Sequence, residues 1–334
     1  MRAWICHDWG EPRSLTLGER DTPRPGPHQV LIDVHRASVN FPDTLMIAGK
    51  YQMKPQRPFV AGTECSGTVM DIGTEVTGFR RGDRVAAILD TGAFAQHAVA
   101  DDFQTYVIPD SMSFDHAAAF PTTYGTSYRA LVDRGRLASG ETLLVLGAAG
   151  GVGLNAVELG RLMGANVIAA AGSDDKLALA KSYGAHHTIN YARESIRERV
   201  REITGGRGAD VVFDPVGGDA FDESLRCMAR EGRLLIIGFA SGRIPSAPAN
   251  RVLMSESEVI GVLYGGRRTP QVARANFATM MDWYVAGLIR PHVSMTFAFE
   301  QVPEAMEALL ERRATGKVLI GRAGTQTHAT PNHG

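Results

Sequence analysis

Cysteine is scarce in this chain, at three in 334 residues, and Cys6, Cys65 and Cys227 stand far apart. With no C-x-x-C spacing there is no sign of a zinc ribbon, a redox pair or a disulfide framework. Buried small hydrophobes in a reducing cytosol are the expected state, so a cytoplasmic location is expected. Long apolar runs are missing as well. No uninterrupted stretch approaches the roughly 18 residues of a membrane span. The opening MRAWICHDWGEP has no apolar signal core, and no leader peptide is expected. An excess of either charge is missing too: 35 Lys and Arg stand against 36 Asp and Glu, with no long Lys/Arg run, which argues against a nucleic-acid footprint. Repeats and low-complexity linkers are lacking. What remains is a soluble globular composition, long enough for about two domains.

The informative stretch is ETLLVLGAAGGVGLNAVELGRLMGANVIAAAG, residues 141–172. An apolar run (142–146) meets the cluster Gly147-Ala148-Ala149-Gly150-Gly151-Val152-Gly153, a helix-forming segment follows, and a second apolar run (167–171) closes it. This is a βαβ unit with a phosphate-binding turn. The strand must turn sharply, and a pyrophosphate must sit against the helix N-terminal N–H groups. A Cβ at Gly150 or Gly153 would hold off the phosphate or the neighbouring strand. One departure is visible: the strict G-x-G-x-x-G pattern would put glycine at 148, where Ala148 stands.

Residues 1–110 read as β-rich, with strands expected at 30–34, 67–72 and 83–89 between closely spaced glycines and prolines. Helices are expected at 114–120 and 126–134, with Pro121-Thr122-Thr123-Tyr124-Gly125 as a break. Strands then alternate with helices through 237, which predicts a parallel doubly wound sheet. Beyond about 265 the pattern is mixed: helices near 276–286 and 302–313, strands near 293–299 and 317–320. That segment is too small for a domain and is expected to complete the first one. The tail 322–334 is polar and reads as disordered.

The order of small barrel, inserted cofactor domain and resumed barrel resembles the medium-chain dehydrogenase/reductase superfamily. Local runs resemble its zinc-free NADPH:quinone oxidoreductase branch: Asn40-Phe41-Pro42-Asp43-Thr44, Gly49-Lys50-Tyr51, Ala148-Ala149-Gly150-Gly151-Val152-Gly153, Asp214-Pro215-Val216-Gly217-Gly218 and Ala314-Thr315-Gly316-Lys317-Val318. The resemblance implies an α/β fold in which a Rossmann sheet is inserted into a GroES-like barrel. It divides the chain as 1–123 and 265–321 (catalytic domain), 124–264 (NADPH-binding domain) and 322–334 (tail).

Zinc-dependent relatives use a Cys/His/Cys set. The matching places here look like Asn40, Thr63 and the pair Thr122-Thr123, none of them a soft or imidazole ligand. The four-cysteine lobe expected between 80 and 99 is missing. An improvised set of Glu64, Cys65 and His97 has no ligand spacing. No metal is therefore expected, and the acceptor should take hydride without a Lewis acid, as a quinone or an electron-poor C=C does.

An NAD-specific version of this fold ends its second strand with an acid that grips the ribose 2′-OH. Here that strand ends Ala170-Ala171-Gly172, with Ser173 and Lys176 at the next helix start. A phosphate is welcome there, and by resemblance Tyr191 contacts it. NADPH is the expected cofactor. The alternative is that Asp174 or Asp175 holds the 2′-OH and Lys176 is a solvated helix residue.

By resemblance Asn40 and Thr126 lie near the nicotinamide ribose or carboxamide. Ala149, Gly150, Gly151 and Val152 hold the diphosphate, and Val216, Phe239, Ala240 and Ser241 stand at the carboxyl ends of the sheet. Leu263, Tyr264 and Gly265 supply backbone groups to the amide, and Lys317 a charge near the diphosphate or ribose. Each has an alternative: Asn40 and Asp43 as a turn tie, Lys317 as an exposed strand-start lysine, Tyr264 as interface core. Tyr51 is the candidate proton donor beside Asn40 and Asp43 in the catalytic set, or else a pocket-wall aromatic. Phe41, Leu45, Met46 and Phe59 suit a flat hydrophobic acceptor. The resulting expectation is hydride transfer from NADPH to a quinone, or alternatively to an enone or enoyl thioester. A non-catalytic NADPH-binding sensor is the alternative of a different class. A homodimer paired through 258–263 is expected, with no nucleic-acid or membrane partner.

Overall fold

The computed structural model describes residues 1–265 and 270–322, and the elements of the fold fall within them. Of the tail 322–334, expected to be disordered, Arg322 is described and the remainder lies outside the described residues. Two compact units emerge. One comprises Met1–Thr122, Gly265–Val285 and the chain from Arg290. The other comprises Thr123–Tyr264 with Ala286–Ile289.

The first unit is built on strands β1 (Arg2–Cys6), β2 (Thr16–Glu19), β3 (Gln29–Val39), β4 (Phe59–Val60), β5 (Glu64–Ile72), β6 (Arg84–Ile88), β7 (His97–Asp101) and β8 (Thr105–Val107). Helix α1 (Phe41–Ile47) leaves β3, and α2 (Phe114–Ala118) follows β8. Next come α3 (Pro121–Tyr128) and, in the second unit, β9 (Thr142–Leu146), α4 (Gly151–Leu162), β10 (Asn166–Ala171), α5 (Asp174–Ser182) and β11 (His187–Asn190). That unit continues with α6 (Ile196–Ile203), β12 (Ala209–Asp214), α7 (Gly218–Ser224), β13 (Met228–Ile236), α8 (Ala249–Ser255) and β14 (Glu258–Gly261). The chain returns to the first unit with α9 (Pro270–Val285), β15 (Val293–Phe297), α10 (Val302–Leu310) and β16 (Lys317–Gly321).

In the first unit β15-β16-β3-β5-β6-β8 form one sheet, with β7 also paired to β3, and β2-β1-β4 form a second. The segment after 290 thus completes this unit by antiparallel pairing of β16 with β3. Its core holds Val30, Ile32, Val85, Ala98, Met306 and Val318. In the second unit the order is β11-β10-β9-β12-β13-β14, every pair parallel. The order reverses between β9 and β12, the place where a doubly wound sheet opens a crevice beyond its strands. β9 is buried at all five positions, as a central parallel strand must be.

The expected break at 121–125 is a helix instead. Pro121 is the first residue of α3, where its missing N–H would have had no intrahelical partner. The continuation over Arg129–Arg134 is a π-helix rather than an α-helix. α3 docks on α4 through three side-chain bonds at helical spacing. Thr123 accepts from Asn155 (2.9 Å), Tyr124 donates to Glu158 (2.6 Å), and Ser127 donates to the Val152 carbonyl (2.8 Å).

Candidate functional site

In the second unit the glycine turn forms at the carboxyl end of β9. Gly147 takes φ +57°, a region that favours glycine. A Cβ on Gly153 would stand 2.2 Å from the Gly147 carbonyl oxygen, so only glycine lets α4 sit this close to the strand. A Cβ on Gly150 would meet the same oxygen at 3.3 Å, nearly tolerable. Gly150 is exposed at the N-cap of α4, and Gly151 and Val152 open the helix. The turn therefore presents first-turn N–H groups with no side chain in front of them. Ala148, the departure from the strict pattern, is fully buried and donates its N–H to the Ala170 carbonyl (3.1 Å), while Ala149 is 3% exposed. Both methyls are buried in packing.

The end of β10 carries no acid. A Cβ on Gly172 would stand 3.3 Å from the Tyr191 ring, and the Tyr191 N–H bonds the Ala171 carbonyl (3.2 Å). Gly172, Ser173 and Tyr191 are thus brought to one corner. Ser173 is the N-cap of α5 without a side-chain cap bond, and Lys176 lies in the helix's first turn. Asp174 is committed elsewhere. Its oxygens accept from Asn190 Nδ2 (2.9 Å) and from both Arg193 terminal nitrogens (2.9 and 2.8 Å). These bonds hold its carboxyl below the usual range, led by the Asn190 bond. Arg193 was not among the residues the sequence pointed to.

At the neighbouring strand ends two loops interlock. Asp214, 1% exposed, accepts from the Val216 N–H (2.7 Å) and the Gly217 N–H (2.8 Å). Burial raises its pKa to about 6 against those two bonds. Val216 stands beside the glycine turn: a Cβ on Gly147 would meet it at 3.1 Å. The Ala240 N–H bonds the Pro215 carbonyl (3.1 Å) and the Ser241 N–H bonds the Val216 carbonyl (2.9 Å), so Phe239, Ala240 and Ser241 are strapped to the same loop. Thr126 sits half-buried on α3. Tyr264 packs against that helix, where a Cβ on Gly125 would fall 2.1 Å from its ring. The Leu263 carbonyl accepts from Arg129 Nε (3.1 Å), while Gly265 is exposed.

The first unit holds a sealed polar cluster. Lys317 opens β16 yet is 4% exposed, so the reading of it as a solvated strand-start lysine is overturned. Its Nζ donates to Asn40 Oδ1 (2.6 Å) and to Glu64 Oε2 (3.1 Å). Asn40 Nδ2 donates to the same Glu64 oxygen (3.0 Å), and the Thr122 N–H donates to Oε1 (2.7 Å). Asp43 accepts from the Asn40 N–H and from Thr63 Oγ1, both at 2.7 Å. The bond from the Asn40 N–H to Asp43 ties that turn, while the Asn40 carboxamide serves Glu64 and Lys317. Asp43 is 1% exposed, and burial raises its pKa to about 6 against its hydrogen bonds from Thr63 and Asn40. Tyr51 is half-buried beside the core. Its pKa is raised, by burial first and then by Asp43. Glu64 is the member that sequence reasoning placed only in an improvised metal set.

That metal set does not assemble. Glu64 is bonded to Lys317, and Cys65 is the next residue along the strand, buried with its thiol pushed up to about 12. His97 lies on β7 against Asp33 (3.8 Å). Among the described residues no three His, Cys, Asp or Glu side chains gather as a metal-holding group.

The GroES-like domain of alcohol dehydrogenases matches residues 26–110, and the zinc-binding dehydrogenase family matches residues 151–286. Mus musculus quinone oxidoreductase-like protein 2 is 41% identical over 324 residues, which are 96% of this chain and 91% of that protein. Homo sapiens quinone oxidoreductase is 30% identical over 323 residues, 96% of this chain and 97% of its own. The Escherichia coli quinone oxidoreductase complexed with NADPH superposes with a TM-score of 0.90 at 28% identity, covering 96% of this chain and all of that one (100%). By these matches the chain belongs to the quinone oxidoreductase branch of the medium-chain dehydrogenase/reductase superfamily.

Proposed function

We propose that this protein is an NADPH-dependent reductase of quinones that works without a metal. The observation that carries the reading is the acid-free end of β10. Gly172 packs on Tyr191, and the nearest acid, Asp174, is tied to Arg193 and Asn190. The same corner supports NADPH over NADH, as does the Escherichia coli relative, whose structure is a complex with NADPH. The close packing of Gly153 on Gly147 sets the start of α4 at the end of β9, and its N-cap, the exposed Gly150, leaves the first-turn N–H groups open, which suits a pyrophosphate. When bound, NADPH would supply the hydride, and the acceptor would take up the balancing proton.

Metal independence is supported by the donor set. Asn40 and Thr63 carry no imidazole or thiolate, and their polar ends are spent on Glu64, Lys317 and Asp43. A quinone suits such a site because its reduced anion is protonated by water. For an enone, a proton must be delivered to carbon. Tyr51, half-buried beside the core, carries the hydroxyl that would deliver it, and the second reading rests on that residue.

The three cysteines, all free and buried, support a cytosolic setting. No helix among the described residues is long and apolar enough to cross a membrane. A homodimer is part of the reading. β14 is at the edge of its sheet, and Leu263 beyond it is 71% exposed. Light scattering at micromolar concentration should give twice the chain mass, and a single chain mass would remove the dimer from the account.

The functional test is steady-state NADPH oxidation by chelator-treated protein against quinones, enones and enoyl thioesters. Quinones should be the fastest acceptors, with metal content well below one per chain. Activity that is lost to the chelator and restored by zinc would overturn the proposal.

A further inference from the structure

The first turn of α5 presents an electrostatic problem. Asp174 directly follows Ser173, in the corner where Gly172 meets Tyr191 and where the 2′-phosphate is proposed to lie, and Asp175 adds a second acid. A phosphate monoester carries about −1.5 to −2 charges near neutral pH, and a carboxylate beside it would repel it. We infer that Arg193 is a specificity residue for NADPH, which acts by clamping Asp174 so that its charge is neutralised and its oxygens are withdrawn from the ribose. The inference rests on the NADPH reading above and extends it to a residue outside the phosphate contacts.

The geometry is that of a clamp. Arg193 meets Asp174 with both terminal nitrogens (2.9 and 2.8 Å), the bidentate form that fixes a carboxylate in one orientation. Asn190 Nδ2 holds the same carboxylate at 2.9 Å. The loop that carries Arg193 is itself braced. The Arg193 N–H bonds the Asn190 carbonyl (3.1 Å), the Ala192 N–H bonds Asn190 Oδ1 (3.2 Å), and Glu194 accepts from the Asn190 N–H (2.8 Å). Asn190 pairs in register with Ala171, the residue before Gly172, so the clamp and the corner share one strand pair. The pair is open to water, with side chains 63% and 62% exposed, and such a pair contributes little to stability. Its consequence is local: one free negative charge more or fewer at the first turn of α5. With Arg193 gone, Asp174 keeps only the Asn190 bond on Oδ1, its charge is left to repel a phosphate, and Oδ2 is open to a ribose 2′-OH, the arrangement of NAD-specific sheets.

The test is the dissociation constant of NADPH and of NADH, measured by calorimetry on the full-length protein at low and at physiological salt. Variants are R193Q, D174N and R193Q/D174N, with thermal unfolding recorded for each. R193Q should weaken NADPH roughly fivefold to tenfold at low salt, as expected for one unscreened like charge within several ångströms. It should leave NADH unchanged or tighter, and the loss should shrink as salt rises. R193Q/D174N should return NADPH binding to within about twofold of wild type. A double variant no better than R193Q would overturn the clamp, since Arg193 would then be a direct phosphate donor. So would R193Q binding NADPH like wild type. A wild type that binds NADH more tightly than NADPH would instead sink the underlying cofactor reading. The two failures are therefore distinct.

Discussion

Lys317 and Glu64 form an ion pair of 3.1 Å in which the side chains are 5% and 0% exposed, joining β16 to β5 across 253 residues of sequence. Asn40 is the third member, bonded to both. A buried charge that loses its partner is strongly destabilising, whereas removal of both charges together is often neutral. K317M should therefore cost about 3–5 kcal/mol of unfolding free energy, and K317M/E64Q should recover most of it. Urea unfolding of the single and double variants checks this. Equal losses in the two would show that the pair is not coupled.

Asp43 makes stability depend on pH. Its pKa is raised to about 6 in the folded chain by burial, above the ordinary aspartate value. A carboxyl of this kind favours folding in its protonated form. Its contribution is complete below about pH 4 and is lost as the pH rises through about 6. D43N, which cannot titrate, should remove that slope. The difference in unfolding free energy between wild type and D43N should move by roughly 3 kcal/mol between those limits, against wild type at the higher pH. Parallel stability curves for the two proteins would contradict the assignment.

Gly150 and Gly153 should separate binding from folding. The clash of a Cβ at Gly153 is with backbone, so G153A should destabilise by roughly 1–3 kcal/mol, as overpacking does. Gly150 has φ −79° and a Cβ clearance of 3.3 Å, so G150A should unfold like wild type. Its methyl points where the pyrophosphate is proposed to lie, and NADPH affinity should fall roughly tenfold, one lost hydrogen bond to a charged group. Thermal unfolding beside calorimetric titration checks both. An unaffected G150A affinity would place the diphosphate elsewhere.

What could be read from the sequence was whatever is imposed by local chain geometry. The turn from Gly147 to Gly153 announces itself because Gly147 takes a positive φ and Gly153 packs directly on backbone, and the alternation of strand and helix follows from period alone. Pro121 misled for a local reason: proline reads as a break, yet it is also a favoured first helical residue. The helices at Phe41–Ile47, Gly218–Ser224 and Ala249–Ser255 are too short to show a period. Glu64 and Lys317 carry a subtler signal. Each is a charge at the head of a strand whose next residues are mostly small or apolar, ECSGTVMDI and KVLIG, and a buried charge demands an opposite partner. Nothing local could pair them across 253 residues. The Arg193 clamp on Asp174 is invisible for the same reason, since the register of β10 with β11 creates it.

The most direct measurement is the ratio of kcat/KM for NADPH to that for NADH, taken with one quinone on chelator-treated wild type, K176A and G172D. Wild type should favour NADPH by about a hundredfold, the worth of two charge-assisted bonds to the phosphate. K176A should lower the ratio roughly tenfold. G172D should lower it further, because it sets a carboxylate against Tyr191 in the phosphate corner. A wild type that prefers NADH, or a ratio unmoved by both changes, would contradict the account.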